Sequence, residues 1–405
     1  MLKNSQKTYL QNSMEDLAGV MLAVWFFERI TIELTTLGES LHFVSVVIFH
    51  AGRFCGVLAL TLMAALAVRN GTFRLKRTWV VLLVGILSAL GGAQTYMLEL
   101  AVLVIGIRNF DLEKLFRRLF AALLCGTVFI MVLGAAGIIA AKTIERGDGT
   151  IRQAFGFYHP NTLGMRLFQI ASMNLLQRTR KKIRVADAAF ALLLGFFVLK
   201  AAHSRTSSLL LFGIGFLAFG VMALEAETGT RGRHRPLTGL AGFASIGAFL
   251  IPAAAVFGFL WLGQYGDESM FDKTIWSRIS QSLVYLRAYG LSPFGRAIYY
   301  QGGALRTGME ALYALDNGYM YLLLGFGVPA FLLFLAGQIV LIIKTLLEKR
   351  WMLFVILLLY MAYLMMETTP LRADCNFLLL MLTEVLYLQK GEETEEKYEY
   401  ITDRA

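Results

Sequence analysis

Runs of about 20 apolar residues recur along the whole of this chain, and they restrict its fold more than any other feature. A helix of about 20 apolar residues crosses the hydrocarbon core of a bilayer, and all its backbone polar groups are satisfied within the segment. Hydrophobic residues make up 57% of the 405 residues and charged residues only 16%. Soluble domains contain fewer apolar and more charged residues. The sequence therefore predicts an all-α polytopic membrane protein.

The apolar runs predict about twelve transmembrane helices, with both chain ends on one side. The first run lacks a small-residue cleavage pattern behind it, so we expect a retained helix and not a signal peptide. Because the fourth run is short and the first two carry polar residues, ten or eleven spans are an alternative. The predicted spans are residues 16–37, 43–68, 78–93, 95–107, 119–141, 160–177, 185–201, 206–224, 237–261, 317–343, 351–366 and 374–388.

Basic residues between the spans predict the orientation of the chain. One side holds 24 of the 38 Lys and Arg residues, the other side holds ten, and four lie within spans. Short cytoplasmic loops carry an excess of Lys and Arg, so the basic side is expected to face the cytoplasm. The net charge of +10 then reflects topology and does not indicate a nucleic-acid partner.

The chain is expected to form one transmembrane domain over residues 1–388 and an acidic cytosolic tail over residues 389–405. No internal repeat or low-complexity linker divides it. Cys55, Cys125 and Cys375 lie far apart in or at the edge of spans, so the sequence predicts neither a disulfide framework nor a cysteine metal site.

The stretch RQAFGFYHPNTLGMR lies on the predicted outer side, where the sixth span begins. Pro160 suits the first position of a helix, because its missing N–H would have no partner there. His159, with Arg152 and Asn161 nearby, then lies beside helix N–H groups that attract anions such as phosphate. Arg166 lies about 9 Å further along the helix and must face protein, water or a headgroup. The alternative is that this stretch only starts a helix.

A second polar turn, HSRTS, joins the seventh and eighth spans on the same side. Ser204, Thr206 and Ser207 are suited to cap the following helix. Arg205, next to His203, opposes the positive-inside bias and needs an anionic partner, or it reaches a lipid phosphate.

One long outer loop is predicted over residues 262–316. Within TIWSRISQSLVYLRAY, four apolar residues share one helical face, and Arg278, Ser282, Tyr285 and Tyr289 share another. The pattern predicts an amphipathic helix on the outer membrane surface, with a polar face suited to phosphate and sugar rings. An ordinary interfacial helix with solvated arginines is the alternative.

Further polar residues follow this helix. The loop also carries Arg287, Arg296 and Arg306, and it ends near Glu310 and Asp316. Asp316 or Asn317 is positioned to cap the tenth span, which Gly325, Gly327 and Pro329 are expected to kink. In the last outer turn, METTPLRADCN, we expect Glu367, Arg372 and Asp374 to pair with one another.

Four stretches in this order, FGFYHPNTLG, HSRTSSLLL, SLVYLRAYGLSPFGR and DNGYMYLLLGFGV, resemble the bacterial polysaccharide polymerases, distant relatives of the O-antigen ligases. The resemblance implies a GT-C-like glycosyltransferase that joins undecaprenyl-diphosphate-linked oligosaccharides at the outer face of the cytoplasmic membrane. It implies no metal and no other cofactor. The implied partners are the lipid-linked oligosaccharide and the bilayer, together with a flippase and a chain-length regulator.

Departure of a diphosphate builds negative charge that fixed cations and helix-end N–H groups stabilise. Arg205 and Arg278 are the first choices for this role. His159 is the first candidate for the base that accepts the acceptor hydroxyl's proton, unless it binds the diphosphate or orients an arginine; His203 is the second. The remaining residues assigned to substrate binding are Arg152, Asn161, Arg166, Tyr285, Arg287, Arg296, Asp316 and Asn317.

There are three alternatives to a polymerase. Ligases of the superfamily carry a functionally important His in the long outer loop, and residues 262–316 contain none, which favours a polymerase. A transporter or flippase of lipid-linked oligosaccharide is the main rival, although such proteins hold their sites near the bilayer midplane, often at repeat interfaces. A scaffold for an export complex is a third alternative.

Overall fold

The chain is built almost entirely of helices, as its apolar pattern predicts. The computed structural model describes residues 2–92, 94–145, 149–178, 183–231, 246–271, 273–298 and 315–387. Two short antiparallel strands, β1 (Thr143–Glu145) and β2 (Ile151–Gln153), pair with each other ahead of Pro160. The helices are α1 (Leu2–Ile32), α2 (His42–Arg69), α3 (Lys76–Gly92), α4 (Tyr96–Gly106), α5 (Leu112–Ala135), α6 (Pro160–Arg178), α7 (Val185–Ala202), α8 (Arg205–Arg231), α9 (Ile246–Tyr265), α10 (Lys273–Tyr289), α11 (Gly318–Phe326), α12 (Val328–Leu347), α13 (Trp351–Leu364) and α14 (Phe377–Leu386).

Six helices among the described residues are long and apolar enough to cross a membrane. They are α2, α5, α7, α9, α12 and the first part of α8. Large apolar side chains such as Phe43, Leu209 and Phe257 are exposed on them, as expected for helices that face lipid. An all-α, membrane-embedded architecture is therefore confirmed, whereas the total of twelve spans stays a prediction.

The least apolar of the predicted spans forms the centre of the bundle. Helix α6 packs against α5, α7, α8 and α13, and residues 162–173 within it are all buried. Its polar side chains therefore face protein and not lipid, which is what the cost of polar groups in hydrocarbon requires. This central helix fixes the position of the residues at its first turn.

The two ends of the bundle differ in composition. We call the end at which α6 begins the upper end; there Thr35, in the loop after α1, forms a β-bridge with Phe157. The opposite, lower end carries basic residues at helix ends, among them Arg69, Arg77 and Lys344.

The predicted tenth span, residues 317–343, is interrupted in the structure. Helix α11 ends at Phe326, and Gly327 takes a φ of +89° before α12 starts. A Cβ at Gly327 would lie 2.3 Å from the carbonyl oxygen of Pro293, so the chain needs glycine here. The correction is that α12 is the long membrane-crossing helix, and α11 is a short helix of nine residues.

The predicted twelfth span, residues 374–388, is also shorter than expected. The chain enters the bundle after Glu367, and residues 370–381 are all buried. Helix α14 then covers about 15 Å, roughly half the hydrocarbon thickness. It reaches the lower end, where Glu384 pairs with Lys344 and Arg350. Non-helical backbone is tolerated at this depth because protein surrounds it.

Candidate functional site at the start of helix α6

Seven polar residues from separate parts of the chain come together at the upper end of the bundle. They come from β2, from the start of α6, from the turn before α8, from helix α10, from the segment just before α11 and from the turn after α13. We call them the Glu367 cluster: Arg152, His159, Asn161, Ser204, Arg278, Asp316 and Glu367.

Helix α6 begins at Pro160, which confirms the predicted start. The backbone N–H of Asn161 donates to Nδ1 of His159 at 3.1 Å. Burial, together with the positive charge of Arg152, lowers the pKa of His159 to about 4. The imidazole is therefore neutral at physiological pH, and because Nδ1 accepts a hydrogen bond, the proton is on Nε2. His159 thus offers an N–H donor at the helix start.

Asn161 is held between a cation and a carboxylate. Nη2 of Arg152 donates to Oδ1 of Asn161 at 2.5 Å, and the hydroxyl of Ser204 donates to the same oxygen at 3.1 Å. The Asn161 amide nitrogen donates to Oε1 of Glu367 at 2.8 Å. Arg152 also donates through Nε to the carbonyl of Ala202, 3.3 Å away. These bonds fix the orientation of the Asn161 amide and of the Glu367 carboxyl.

Helix α10 was predicted to lie on the membrane surface with its polar face towards water and headgroups, and its orientation is different. Ser282 and Tyr285, on the predicted polar face, are completely buried, and Arg278 is only 7% exposed. On the predicted apolar face, Ile279 is also buried and Ile275 is 40% exposed. The polar face packs against protein because other segments supply it with hydrogen-bond partners, which sequence periodicity does not reveal.

Asn317 supplies one of these partners and caps α11. Its side-chain oxygen accepts from the N–H groups of Tyr319 and Met320, as predicted. Its amide nitrogen donates to the hydroxyl of Ser282 at 3.2 Å and to the carbonyl of Ala255. Asn317 therefore ties α9, α10 and α11 together, and it places Asp316 at the edge of the cluster.

Arg278 lies between two carboxylates. Its Nη2 is 3.6 Å from Oδ2 of Asp316 and 3.7 Å from Oε1 of Glu367, while its Nε donates to the carbonyl of Met366 at 3.2 Å. Burial and the charge of nearby Asp316 raise the pKa of Glu367. Burial also raises the pKa of Asp316, although Arg278 opposes this shift. A carboxyl with a raised pKa beside a cation is the pattern of a general acid or base.

The participation of Glu367 was missed by the sequence analysis. Glu367 was expected to pair with Arg372 and Asp374, but its partners are Asn161 and Arg278. Those residues lie far away in sequence, so no local pattern links them to Glu367. The one available signal was a lone carboxylate directly after the apolar run of α13.

Four other predicted site residues lie at the margin of the cluster or outside it. Arg205 is exposed as the first residue of α8, directly after Ser204, and His203 precedes Ser204 with a positive φ of 48°. Arg287 is exposed and donates to Gln264, and Arg296 is exposed in the turn after α10. Arg306 and Glu310 lie outside the described residues, as does the predicted acidic tail over residues 389–405.

Tyr285, expected to contact substrate, is buried and stacks on Tyr289 with ring centroids 5.9 Å apart. A completely buried ring is not available to a ligand in this conformation. We therefore interpret Tyr285 as a residue that packs α10 against the bundle.

Arg166 was assigned to substrate binding and was expected to face protein, water or a headgroup; it faces protein, in a second charged group inside the bundle. Its Nη2 is 2.9 Å from Oδ2 of Asp374, and both side chains are completely buried. Asp374 also meets Arg372 at 3.0 Å and Arg29 at 3.3 Å. We call the whole group the Asp374 network: Glu28, Arg29, Glu33, Arg53, Glu99, Arg166, Arg372 and Asp374.

The chemistry available to the Glu367 cluster follows from its composition. It has two guanidinium groups and an imidazole N–H, all of which bind anions, whereas the N–H groups of Asn161, Thr162 and Leu163 at the start of α6 already donate to His159. It also has two carboxyl groups able to exchange a proton. Within the part of the chain that the structure describes, no three His, Cys, Asp or Glu side chains are placed to hold a metal ion.

Comparison with known proteins adds no assignment to this geometry. No model of a known protein family matches the chain, and no curated protein matches it.

Proposed function

We propose that this protein is a membrane glycosyltransferase of the bacterial polysaccharide polymerase type, with the Glu367 cluster as its reaction centre. The observation that carries the proposal is the contact of Arg278 and Asn161 with Glu367 at the start of a buried helix. Cations, the positive end of a helix dipole and a carboxyl of raised pKa meet there at one end of a membrane-embedded bundle. The order of the sequence motifs described above supports the same assignment.

The donor in this proposal is a growing glycan on undecaprenyl diphosphate, and the acceptor is a hydroxyl of a new repeat unit. The excess of Lys and Arg in the lower-end loops favours a cytoplasmic position for that end. The Glu367 cluster then lies at the outer face of the cytoplasmic membrane. A substrate held by its lipid would bring the diphosphate to the level of the first turn of α6.

The diphosphate would be bound by Arg152 and Arg278, with Nε2–H of His159 as a further donor and the positive end of the α6 dipole beside it. Arg205 follows Ser204 and would reach the ligand from the rim. Negative charge grows on the bridging oxygen as the bond from the anomeric carbon to the diphosphate breaks. Arginine suits this role because its donors match phosphate oxygens and it stays charged.

Glu367 would act as the base. The acceptor oxygen attacks the anomeric carbon and forms the new glycosidic bond, and the bonding electrons of the old bond leave with the diphosphate. The hydroxyl proton passes to the Glu367 carboxylate. Glu367 suits this step better than His159, because Nδ1 of His159 already accepts a hydrogen bond and a base with a pKa near 4 accepts a proton weakly at neutral pH.

A reconstituted reaction tests this proposal. Purified protein in liposomes is supplied with lipid-linked oligosaccharides extracted from cells that lack the protein, and products are separated by size. We expect a ladder of longer glycans and release of undecaprenyl diphosphate. The Glu367→Gln protein should make no ladder, whereas Glu39→Gln, which changes an exposed carboxylate at the same end of the bundle, should match the wild type.

Other functions would give different products in the same experiment. Transfer of glycan to a different lipid or protein without a ladder would indicate a ligase. Movement of the oligosaccharide across the liposome membrane without extension would indicate a transporter. Either result, or a ladder of normal yield from Glu367→Gln, would contradict the proposal.

A further inference from the structure

A groove on the side of the bundle is separate from the Glu367 cluster. It lies between α3, α4, α12 and α14 and has a volume of about 380 Å³, within the range of roughly 300–1,000 Å³ typical of small-molecule sites. Small residues on three of these helices leave the space open: Gly85, Ala101, Ala330, Ala336 and Gly337. Apart from Arg77, the side chains that line it are all apolar.

The groove opens sideways, towards the surroundings of the bundle. Val80 on α3 and Val340 on α12 stand at its rim, and 53% and 36% of their surfaces are exposed. In a membrane this opening faces hydrocarbon and not water. An apolar groove of this kind gains packing contacts when a hydrocarbon chain fills it, because an empty space leaves its lining atoms without partners.

The groove has a cationic lower end. Arg77 lines it there, and Leu386, another lining residue, is followed by Tyr387. The guanidinium carbon of Arg77 is 5.5 Å from the centroid of the Tyr387 ring, and that of Arg108 is 4.5 Å from it. Two guanidinium groups are therefore gathered at one aromatic ring beside an apolar channel, an arrangement that matches the phosphate and the acyl chain of a lipid.

We propose that this groove is a binding site for one anionic phospholipid of the surrounding bilayer. An acyl chain lies between α3 and α12, and the headgroup phosphate binds Arg77 and Arg108. The site is apolar along its length and charged at one end only, which fits a lipid and not a soluble anion.

The site lies away from the proposed reaction. Helix α3 runs from its first turn, with Arg77, at the lower end to Gly92. Gly92 lies against α11, since a Cβ added to it would be 2.1 Å from the carbonyl oxygen of Gly325. The headgroup site and the Glu367 cluster are thus at opposite ends of the bundle. The inference does not rest on the proposed function, since it needs only the groove, its charge and a membrane.

Native mass spectrometry of protein taken from nanodiscs tests this site. The nanodiscs contain phosphatidylglycerol and phosphatidylcholine in equal amounts, and bound lipid is counted after mild release. We expect the wild-type protein to keep one phosphatidylglycerol. The double variant Arg77→Gln, Arg108→Gln should bind it about tenfold more weakly, whereas Arg74→Gln, an exposed arginine at the same end, should keep it.

A second pair of variants tests the apolar part. Ala336→Phe fills the groove from its exposed rim and should abolish retention, and Leu332→Phe, on the same helix outside the groove, should not. Thermal unfolding in both lipids shows whether each variant is folded, and phosphatidylglycerol should raise the melting temperature of wild type and controls only. Equal retention by all variants would overturn the site, as would binding of inorganic phosphate or a prenyl phosphate but not phosphatidylglycerol.

Discussion

The Glu367 cluster and the Asp374 network are built from the same residue types, but their charges are paired to different degrees. Asp374 is completely buried and meets three guanidinium groups at 2.9 to 3.3 Å. Glu367 meets the guanidinium of Arg278 at 3.7 Å, and Asp316, bound to the same guanidinium, is 39% exposed. The residues from 367 to 374 connect the two groups, so one short segment carries both a closely paired and a loosely paired carboxylate.

On this difference we base the proposal of a structural role for the Asp374 network and a chemical role for the Glu367 cluster. The Asp374 network contains four arginines and four carboxylates, and a balanced set of this kind limits the cost of burying charge. It links α1, α2, α4 and α6 to the segment that follows α13. The Glu367 cluster has two arginines and a pair of carboxyls, Asp316 and Glu367, whose pKa values are raised. When the pair shares one proton, one carboxylate stays ionised and the cluster is net positive. It can then accept an anion.

The largest expected effect is on stability, from Asp374→Asn. The substitution leaves the buried guanidinium of Arg166 without a carboxylate among the described residues and takes one carboxylate from Arg29 and one from Arg372, which should cost about 3–5 kcal/mol. Thermal unfolding of the purified protein in detergent measures the loss. Glu39→Gln, in an exposed pair with Lys142, should unfold like the wild type. A variant at Asp374 with wild-type stability would show that the network is not structural.

The next effect concerns the pH dependence of the reaction. The pKa of Glu367 is raised by burial and by Asp316, and a base works only when it is ionised. The initial rate should therefore fall as the pH is lowered through this raised pKa, above the usual carboxyl range, and Glu367→Gln should lose on the order of 10²–10⁴-fold in rate. Asp316→Asn removes a neighbouring negative charge, lowers the pKa of Glu367 and should move the acidic limb of the rate profile to lower pH. An unmoved limb would exclude Glu367 as the titrating group.

A smaller effect is expected at His159, which we assign as a donor. Because its pKa is lowered to about 4, it stays neutral over the working pH range and adds no limb near its ordinary pKa. His159→Ala should slow the reaction about tenfold, the value of one hydrogen bond to a charged group, whereas His159→Gln, which keeps an N–H donor, should lose less. Equal and complete inactivation by both substitutions would instead support a base at this position.

The smallest effect is expected at the arginines outside the cluster. Arg287 and Arg296 are exposed, so Arg287→Gln and Arg296→Gln should change the initial rate less than about twofold, as surface substitutions usually do. Rate measurements on the purified variants check this. A loss as large as that of a cluster residue would mean that the site extends beyond the boundary drawn here.

Local rules predicted several parts of this fold. Pro160 starts α6 and Asn317 caps α11, because each of these effects depends on one residue and its immediate neighbours. The all-α membrane class follows from the length of the apolar runs. These features need no knowledge of tertiary contacts.

Long-range pairing accounts for what the sequence did not predict. Arg166 meets Asp374, and Asn161 meets Glu367, across more than 200 residues in each case. The burial of the polar face of α10 likewise depends on Asn317 and Met366, which belong to other segments. Periodicity identifies the two faces of a helix, but it does not tell which face meets protein when both lipid and a polar interior are available.

The initial rate of undecaprenyl diphosphate release by the Arg278→Ala protein tests the central claim most directly, because Arg278 contacts both carboxyls of the Glu367 cluster. We predict a rate about 10²–10³-fold below that of the wild type, the usual cost of losing one group that stabilises developing charge, from protein that thermal unfolding shows to be folded. A wild-type rate from folded Arg278→Ala protein would contradict the assignment of the Glu367 cluster as the reaction centre.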